Sequence, residues 1–580
     1  MSNLRNKLVA ACLVANSALA AEWTARPEYL RTGPTGEIVQ ADLPGNIPPW
    51  TRVSIRAARG GYVSFQLVAE VAAEYTVSLD LPLPVDVFRE WYHPIDSIKM
   101  QYPDALIPVT LPYRAKPEHA AQAFWVDVWV PRDSRPGVVR GEAALRTATG
   151  PKTIPIEIEI LRATVPAEDA ITIDHNSYGT AWLPEQYPGA DDTASILRLS
   201  QAYHRIFYEH RGVFHQLGYG HGGKVGVEFA PELEGSGRTK RIASWDLYDR
   251  HFGPLLDGSA FRKTRRGPRP IPFVYLPINP EWPASFLWWG EPGYETEFVN
   301  IVSAMERHFR ERGWTHTYFE MFFNHKKRYK AFPWDGDEVR FARDMKYSRI
   351  FRSLLNQAVP RGSPVKFLFR SDVSWQMERE FRDLAGVIGF WVAGSGMLSW
   401  YPESAKAVKA RGDILWHYGG TPAIQRPSTA ITEKVLNTWM RGLDGYVHWL
   451  AVAPGQDPWF HSDGEELALV YPGRRFGIDG PIPSIRLKLE RNCAQDIALL
   501  RSLPATLEEK RAEVAKRFNG TTPDHWWSPR PPLADTPPEE WTNSDIDNTT
   551  ATYWKQFDRL DPAAWQRVRD YILALAAEVK

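Results

Sequence analysis

Residues 271–323 contain the pattern that decides the fold. A short apolar run, IPFVYLP (271–277), precedes the amphipathic stretch ETEFVNIVSAMERHFRERGW (295–314), which a second apolar run, HTYFEMFF (316–323), follows. The apolar side chains of the middle stretch share one helical face: Phe298, Val302, Met305 and Phe309. A helix between two short apolar strands is typical of a parallel sheet, because parallel neighbours need a long crossover connection.

The same alternation of apolar runs and helical stretches extends along the chain after ILRATVPAEDA (160–170). Eight candidate strands result: ITIDHN (171–176), VFHQLGY (213–219), IPFVYLP, HTYFEMFF, VKFLFRS (365–371), VIGFWVA (387–393), DILWHY (413–418) and GYVHWLA (445–451). Eight strands joined by helices predict a closed (β/α)8 barrel of the TIM type, over residues 168–462.

The segments on either side of this barrel have different patterns. Residues 21–166 alternate with period two in stretches such as YVSFQLVAEV (62–71), which predicts an N-terminal β-sandwich. The turn Arg135-Pro136-Gly137 separates two alternating runs and predicts a hairpin there. Residues 463–580 predict a C-terminal extension with helices, including SIRLKLERNCAQDIALLRSL (484–503) and a last amphipathic helix, DPAAWQRVRDYILALAAEV (561–579).

The N-terminal residues 1–20 have the pattern of a cleaved export signal: a basic start, an apolar run and a small-x-small site at Ala18-Leu19-Ala20. A secreted or periplasmic location is therefore predicted. Cleavage would leave Cys493 as the single cysteine, so an intrachain disulfide is not expected. No later apolar run reaches the length of about 20 residues that spans a bilayer.

The composition excludes one class of partner and favours another. The 580 residues include 69 Lys and Arg against 69 Asp and Glu, so no basic excess exists to neutralise a nucleic-acid backbone. The 24 Trp, 23 Tyr and 26 Phe suit the C–H faces of sugars, although most aromatic residues pack into cores. The composition therefore favours a polysaccharide or oligosaccharide over nucleic acid, and it does not indicate an oligomeric state.

Candidate substrate-binding residues follow from the barrel prediction, because the loops at the C-terminal strand ends converge on one mouth. Polar side chains at these ends are Asp174, His175, Glu281, Asn324, His325, Lys326, Arg370, Asp372, His417 and Tyr418. Arg370 and Asp372 lie two residues apart, so a mutual ion pair is an alternative to substrate contact. Candidate sugar-stacking residues are Trp282, Trp334, Trp375, Trp416 and Trp449, of which only some are expected to line a cleft. No spacing is typical of a metal site or a phosphate-binding loop, so no cofactor is expected.

The loop FFNHKKRYKAFPWDGDEVRFARD (322–344) has a candidate catalytic pair, Asp337 and Glu338, before a predicted helix. A carboxylic acid near a second carboxylate holds its proton to a higher pH and can protonate a leaving glycosidic oxygen. The alternative is purely structural, because acids in a first helical turn favourably oppose the helix dipole. The two roles are compatible. If this pair is only structural, Glu320, Asp372 and Asp174 become the candidates.

Four further segments resemble glycoside hydrolase family 123 and its relatives in domain-of-unknown-function family 4091. They are AFWVDVWVPRDSRPGVVRGEAAL (123–145), DILWHYGGTP (413–422), WMRGLDGYVHWLAVAP (439–454) and YPGRRFGIDGPIPSIRLKLERNCAQDIALL (471–500). The resemblance implies a glycoside hydrolase and covers most of the mature chain. Members of the group commonly carry adjacent Asp and Glu residues at the end of the fourth barrel strand.

In this sequence Asn324 and His325 occupy that place. Some relatives carry an insertion after an Asn-x-Lys strand end, with the Asp-Glu pair at its far side, and Asp337-Glu338 fits this variant. The resemblance therefore implies that Asp337 and Glu338 are catalytic. In family 123 the nucleophile is the 2-acetamido group of the substrate, so the same mechanism here requires a substrate with that group.

Two alternatives to a glycoside hydrolase are consistent with the sequence. In a polysaccharide lyase, Lys326, Arg370 or Asn324 would neutralise a uronate carboxylate while His325, His417 or Tyr418 removed the adjacent proton. A non-catalytic glycan-binding protein is the second alternative, since 324–325 lack carboxylates.

Overall fold

The computed structural model describes most of the chain after residue 20. The described ranges are 21–43, 47–177, 179–180, 182–215, 226–278, 282–283, 294–322, 342–373, 378–394, 398, 401–448, 450–452, 457–460, 468–527 and 561–579. No helix in these ranges is both long enough and apolar enough to cross a membrane. Cys493 is a buried, free thiol.

The N-terminal region is a β-sandwich of two five-stranded sheets. Its strands are β1 (Glu22–Pro27), β2 (Val53–Arg59), β3 (Gly61–Glu70), β4 (Tyr75–Asp80), β5 (Val85–Ile95), β6 (Met100–Val109), β7 (Tyr113–Ala115), β8 (Ala121–Val130), β9 (Gly137–Thr147) and β10 (Gly150–Thr164). The strand orders are β1-β3-β8-β5-β6 and β2-β10-β9-β4-β7. Alternating inward residues of both sheets, such as Phe65, Phe124, Leu145 and Ile158, form the shared core.

The hairpin predicted at Arg135-Pro136-Gly137 is wrong. β8 and β9, which flank this turn, belong to opposite sheets: β8 pairs with β3 and β5, whereas β9 pairs with β4 and β10. A turn between two alternating runs is common to a hairpin and to a connection that crosses a sandwich, so the local pattern does not distinguish them.

Eight parallel strands form the barrel. In chain order the strands from here on are β11 (Thr172–Asn176), β12 (Gly212–His215), β13 (Glu232–Glu234), β14 (Arg241–Ser244), β15 (Phe273–Tyr275), β16 (Tyr318–Phe322), β17 (Lys366–Val373), β18 (Phe390–Gly394), β19 (Ile414–Gly419), β20 (Gly445–His448), β21 (Val470–Pro472) and β22 (Pro481–Pro483). The pairs β13-β14 and β21-β22 are separate antiparallel ribbons.

The barrel strands have the order β12-β11-β20-β19-β18-β17-β16-β15. All eight correspond to the strands that the sequence predicted, so the predicted fold class is confirmed. The two ends of this sheet meet through side chains, because the His215 ring of β12 lies 4.5 Å from the Tyr275 ring of β15 between centroids. The barrel is therefore nearly closed.

Helices follow the barrel strands and cover their outer surface. The helices of the described ranges, including those of the C-terminal extension, are α1 (Trp182–Gln186), α2 (Thr193–Glu209), α3 (Asp246–Leu256), α4 (Tyr294–Glu311), α5 (Ala342–Ala358), α6 (Glu378–Asp383), α7 (Pro402–Ala410), α8 (Ala430–Met440), α9 (Ile485–Ser502), α10 (Leu507–Asn519) and α11 (Ala564–Ala577). The predicted apolar face of α4 is confirmed, because its four side chains are fully buried in the apolar core between the barrel strands and the surrounding helices, here called the barrel-helix core.

Helix α9 joins the barrel to the sandwich. Every residue from Ile485 to Leu500 is buried, including five charged ones, because the helix packs against α8 on one side and sandwich strands on the other. Asp104 of β6 pairs with Arg486 at 2.8 Å, and Asp127 of β8 pairs with Lys488 at 2.7 Å and with Arg491 at 2.8 Å. Buried charges need such partners, so these ion pairs connect the two parts of the molecule.

Candidate active site

The barrel interior has an apolar layer and a charged layer. The apolar layer consists of Phe273, Phe390, Val392, Trp416 and Val447. On β15, β16 and β17, the residues Tyr275, Glu320 and Arg370 come two positions after the apolar-layer residues Phe273, Tyr318 and Leu368. Alternate residues of a strand face the same side of the sheet. The charged layer therefore lies nearer the C-terminal strand ends, where active sites of such barrels are found.

Three side chains of the charged layer form a carboxylate-imidazole-carboxylate arrangement. His215 Nδ1 lies 2.6 Å from Asp174 Oδ2, and His215 Nε2 lies 3.2 Å from Glu320 Oε1. All three side chains are buried. The imidazole thus has an acidic group beside each of its ring nitrogens.

Arg370 continues the charged layer on the far side of Glu320. Its Nη1 donates to Glu320 Oε2 at 2.8 Å, and its Nε donates to Asp372 Oδ1 at 2.8 Å. The guanidinium also lies over the Tyr275 ring, 5.0 Å from the ring centroid. The mutual ion pair that the sequence allowed for Arg370 and Asp372 is therefore present.

The electrostatics keep His215 and Glu320 ionised. Burial would lower the pKa of His215, but the facing carboxylates of Asp174 and Glu320 raise it to about 9. Burial would raise the pKa of Glu320, but His215 and Arg370 hold it below its ordinary value. A protonated His215 therefore lies beside an ionised Glu320 at neutral pH.

The raised pKa of His215 predicts a loss of stability at alkaline pH. Because the folded-state pKa exceeds the unfolded value of about 6.5, the stabilisation is fully present below pH 6.5. It is lost as the pH rises through about 9. We expect the free energy of unfolding to fall by on the order of 3 kcal/mol between these values, measured by chemical denaturation.

The matched variants for this measurement are His215→Asn and His316→Asn. His316 is exposed, so His316→Asn should keep the pH dependence of the wild type, whereas His215→Asn should lose this component. An unchanged pH dependence in His215→Asn would contradict the ion-pair assignment.

His215 is the charged-layer residue that the sequence analysis missed. It lies inside the correctly predicted strand VFHQLGY, two positions after Val213, and the strand ends with it in the structure. The polar side chain within an apolar strand was the signal that could have identified it, since a period of two places His215 on the same strand face as Val213. Glu320, Asp372 and Asp174, the three alternative acids of the sequence analysis, all belong to this layer.

His175 and His417 point away from the barrel axis. His175 Nε2 donates to Glu490 Oε2 of α9 at 2.8 Å, and its ring stacks on Phe207 of α2 at 4.3 Å between centroids. His417 Nε2 lies 2.6 Å from Thr438 Oγ1 of α8. Both rings therefore contact the helix layer, and this orientation does not favour their predicted role as substrate contacts, which stays a prediction.

The group His175, His448 and Glu490 brings potential metal-ligand atoms within 4.8 Å of one another. Each imidazole Nε2 contacts its own oxygen of the Glu490 carboxylate. Burial would raise the pKa of Glu490, but the two histidines lower it to about 2. Hydrogen bonds to an ionised carboxylate thus account for this cluster, which fastens β11 and β20 to α9.

Gly212 provides the space for the His175 ring. A Cβ atom at this position would lie 2.3 Å from His175 Cε1 and 2.4 Å from Nδ1. We expect Gly212→Ala to displace the ring from Glu490 and to lower the free energy of unfolding by about 1–3 kcal/mol. The control is Gly389→Ala, where the nearest atom, Arg352 Nη2, lies 4.0 Å from the added carbon. Equal melting temperatures for the two variants would refute the steric argument.

The remaining predicted site residues divide between packed positions and undescribed ones. Trp416 is fully buried in the apolar layer, the half-buried Tyr418 adjoins that layer, and the half-buried Trp282 packs against the barrel-helix core. The residues outside the described ranges are Glu281, Asn324, His325, Lys326, Trp334, Asp337, Glu338, Trp375 and Trp449. Their roles stay predictions.

The fold is similar to that of a family 123 glycoside hydrolase from Clostridium perfringens, a structure concerned with glycolipid glycan hydrolysis. The identity is 12% and the TM-score 0.58, over 96% of this chain and 100% of that chain. At this identity the likeness shows a shared fold alone.

Two further structures match with much lower TM-scores. A β-glucuronidase from Bacteroides uniformis has a TM-score of 0.29 and 9% identity over 71% of this chain and 47% of its own. A putative α-galactosidase from Bacteroides fragilis has a TM-score of 0.26 and 11% identity over 77% of this chain and 79% of its own. No family model and no curated protein matches the chain.

Proposed function

We propose that the protein is an exported enzyme that hydrolyses glycosidic bonds of a polysaccharide or oligosaccharide at the C-terminal mouth of the barrel. The observation that carries this proposal is the charged layer. It brings three carboxylates, Asp174, Glu320 and Asp372, together with two cations, His215 and Arg370, inside the barrel. The barrel fold itself hosts many chemistries, so the proposal rests on these side chains.

In the proposed mechanism, Glu338 is the general acid and Asp337 its ionised partner. Both belong to the segment between β16 and α5, which begins at the C-terminal end of β16, the same barrel end as the charged layer. Glu338 would protonate the leaving glycosidic oxygen, and Asp337 would stabilise the cationic transition state or orient a nucleophile. Asn324, His325 and Lys326 of the same segment would contact the sugar hydroxyls.

The charged layer would act as the floor of this site. Its carboxylates place negative charge below a sugar ring that becomes cationic in the transition state, which favours that state over the ground state. Because Glu320 is held ionised by His215 and Arg370, it would act through its charge and not as a proton donor. The protein's own ion pairs fix the layer before the substrate binds.

A polysaccharide lyase is the less favoured alternative. That mechanism needs a cation free to neutralise a uronate carboxylate, and Arg370 was one candidate. Its guanidinium already donates to both Glu320 and Asp372, which makes it a poor partner for a third carboxylate. Lys326 and Asn324 stay candidates for that role.

The test is to incubate the purified mature protein with a panel of neutral and acidic polysaccharides and to record product mass and ultraviolet absorbance. Hydrolysis adds one water per bond and gives products without ultraviolet absorbance. A lyase would instead leave an unsaturated, absorbing sugar. Binding of a glycan without any product would support the non-catalytic alternative and refute the proposed enzyme.

A further inference from the structure

A groove lies beside the barrel mouth and is made of two adjoining cavities. The first cavity has a volume of about 520 Å³ and is lined by residues that include Glu185, Asp457, Trp459, Arg474 and Arg475. The second has a volume of about 340 Å³ and includes Arg198 and Asp479. Pro188 and Arg474 line both cavities, so the two form one continuous groove.

Two of the segments that line the groove follow C-terminal ends of barrel strands. Glu185 belongs to α1, which follows the C-terminal end of β11, and Asp457 follows the C-terminal end of β20. β11 and β20 are neighbours in the barrel sheet. The opposite wall is the 3₁₀ turn Gly473–Phe476 of the C-terminal extension. The groove therefore adjoins the mouth on one side of the barrel.

Arg474 and Arg475 are exposed cations of this groove. Neither has a carboxylate within ion-pair distance among the residues that the structure describes, although Glu185 and Asp457 line the same cavity. By contrast, Arg198, further along the groove, is paired with Asp479. Two adjacent guanidinium groups thus line the groove, and no counter-charge of the described residues contacts them.

Stacking holds one of these guanidinium groups in place. Arg475 lies over the rings of Trp91 at 5.0 Å, Trp459 at 5.9 Å and Phe460 at 4.9 Å, measured from Cζ to the ring centroids. A guanidinium stacked on aromatic faces keeps its N–H edges free and oriented, and these edges match carboxylate and sulfate oxygens. The side chain is therefore preorganised for an anion.

We propose that this groove binds an acidic stretch of a glycan, with a carboxylate or sulfate ester held by Arg474 and Arg475. The inference rests on the proposed function in taking a glycan as the ligand, and it adds that the glycan is anionic. The Phe460 side chain, 48% exposed, offers an apolar face to a sugar ring. Glu185 and Asp457 would accept hydrogen bonds from sugar hydroxyl groups.

The experiment is a calorimetric titration of the full mature protein with three size-matched probes: oligogalacturonate, sulfated galactan oligosaccharide and neutral galactan oligosaccharide. We expect the double variant Arg474→Gln/Arg475→Gln to lose affinity for an acidic probe on the order of tenfold or more, with little change for the neutral probe. The control is Arg146→Gln/Arg238→Gln, which removes the same charge from two exposed arginines outside the groove.

Each outcome of the titration either identifies the anionic group of the ligand or overturns the proposal. Preference for oligogalacturonate identifies a carboxylate ligand, and preference for the sulfated probe identifies a sulfate ester. Equal losses of affinity in the two double variants would show that the effect comes from net charge alone, and would overturn the proposal. The proposal would also be overturned if the wild-type protein bound neither acidic probe or bound all three probes equally.

The failures of the two proposals are distinguishable. Hydrolysis of neutral glycans alone, without acidic binding, refutes the anionic groove and leaves the hydrolase intact. Arginine-dependent binding of an acidic probe, with no turnover of any glycan, refutes the hydrolase and leaves the groove intact. Both the titration and the product analysis use the same preparation, so the comparison is direct.

Discussion

Replacing Glu338 by glutamine is expected to lower turnover of the glycan substrate by a factor on the order of 10²–10⁴, because the side chain could no longer donate a proton to the leaving oxygen. Glutamine has nearly the same shape and keeps a hydrogen-bonding amide. Affinity for the glycan should therefore change little. The measurement compares turnover, glycan affinity and melting temperature for wild type and Glu338→Gln.

A purely structural role of Glu338 leads to a different result. An acid near a helix N-terminus contributes only a few tenths to about 1 kcal/mol, and its loss would leave activity nearly normal. Glu508→Gln is the matched control, since Glu508 is an exposed acid in the first turn of α10. If Glu338→Gln behaves like this control, Glu338 is not the general acid, and Glu320, Asp372 and Asp174 of the charged layer become the candidate catalytic carboxylates.

Replacing Asp127 by asparagine is expected to lower the free energy of unfolding by about 3–5 kcal/mol. The Asp127 carboxylate accepts hydrogen bonds from Lys488 at 2.7 Å, from Arg491 at 2.8 Å and from Ser64 at 2.7 Å, in a fully buried position. Burial would raise the pKa of Asp127, but the two cations hold it well below its ordinary value. A neutral amide would leave two buried cations without their shared counter-charge.

Denaturant unfolding of Asp127→Asn and Asp479→Asn provides the comparison. Asp479 pairs with Arg198 at the surface, where both side chains are at least half exposed, so its loss should cost no more than about 1 kcal/mol. Similar losses in the two variants would contradict the stabilising role of the buried pair. Asp127 lies in the sandwich, and its cationic partners lie in α9. If this contact couples the sandwich to the barrel, we expect Asp127→Asn to unfold in two separate transitions.

Local periodicity was sufficient for the architecture. The apolar runs of all eight barrel strands, the buried face of α4 and the C-terminal helices α9 and α11 follow from the spacing of apolar residues, because a period of two or 3.6 reports which face is buried. The resemblance of the segments near residues 413–500 added an expectation of a family 123-like fold, which the structural similarity supports at the level of the fold.

The sequence alone did not show the direction in which individual polar side chains point. Asp174 and His175 are neighbours at the end of one strand, yet Asp174 faces the barrel interior and His175 faces α9. A strand-end pattern identifies the barrel mouth but not which of two successive residues points into it, since adjacent residues lie on opposite faces. The same limit left His215 out of the candidate site, although its strand was correctly predicted.

The sequence by itself determined the β-sandwich, the parallel barrel and the terminal helices, because these depend on hydrophobic periodicity within short segments. Only the tertiary structure decided which charges that are distant in the sequence meet. Asp127 and Arg491 are separated by 364 residues, and His175 and Glu490 by 315. The physical reason is that an ion pair leaves no periodic signal in either segment: its partners are chosen by the packing of whole sheets and helices, and buried charges at these positions persist only where that packing brings an opposite charge into contact.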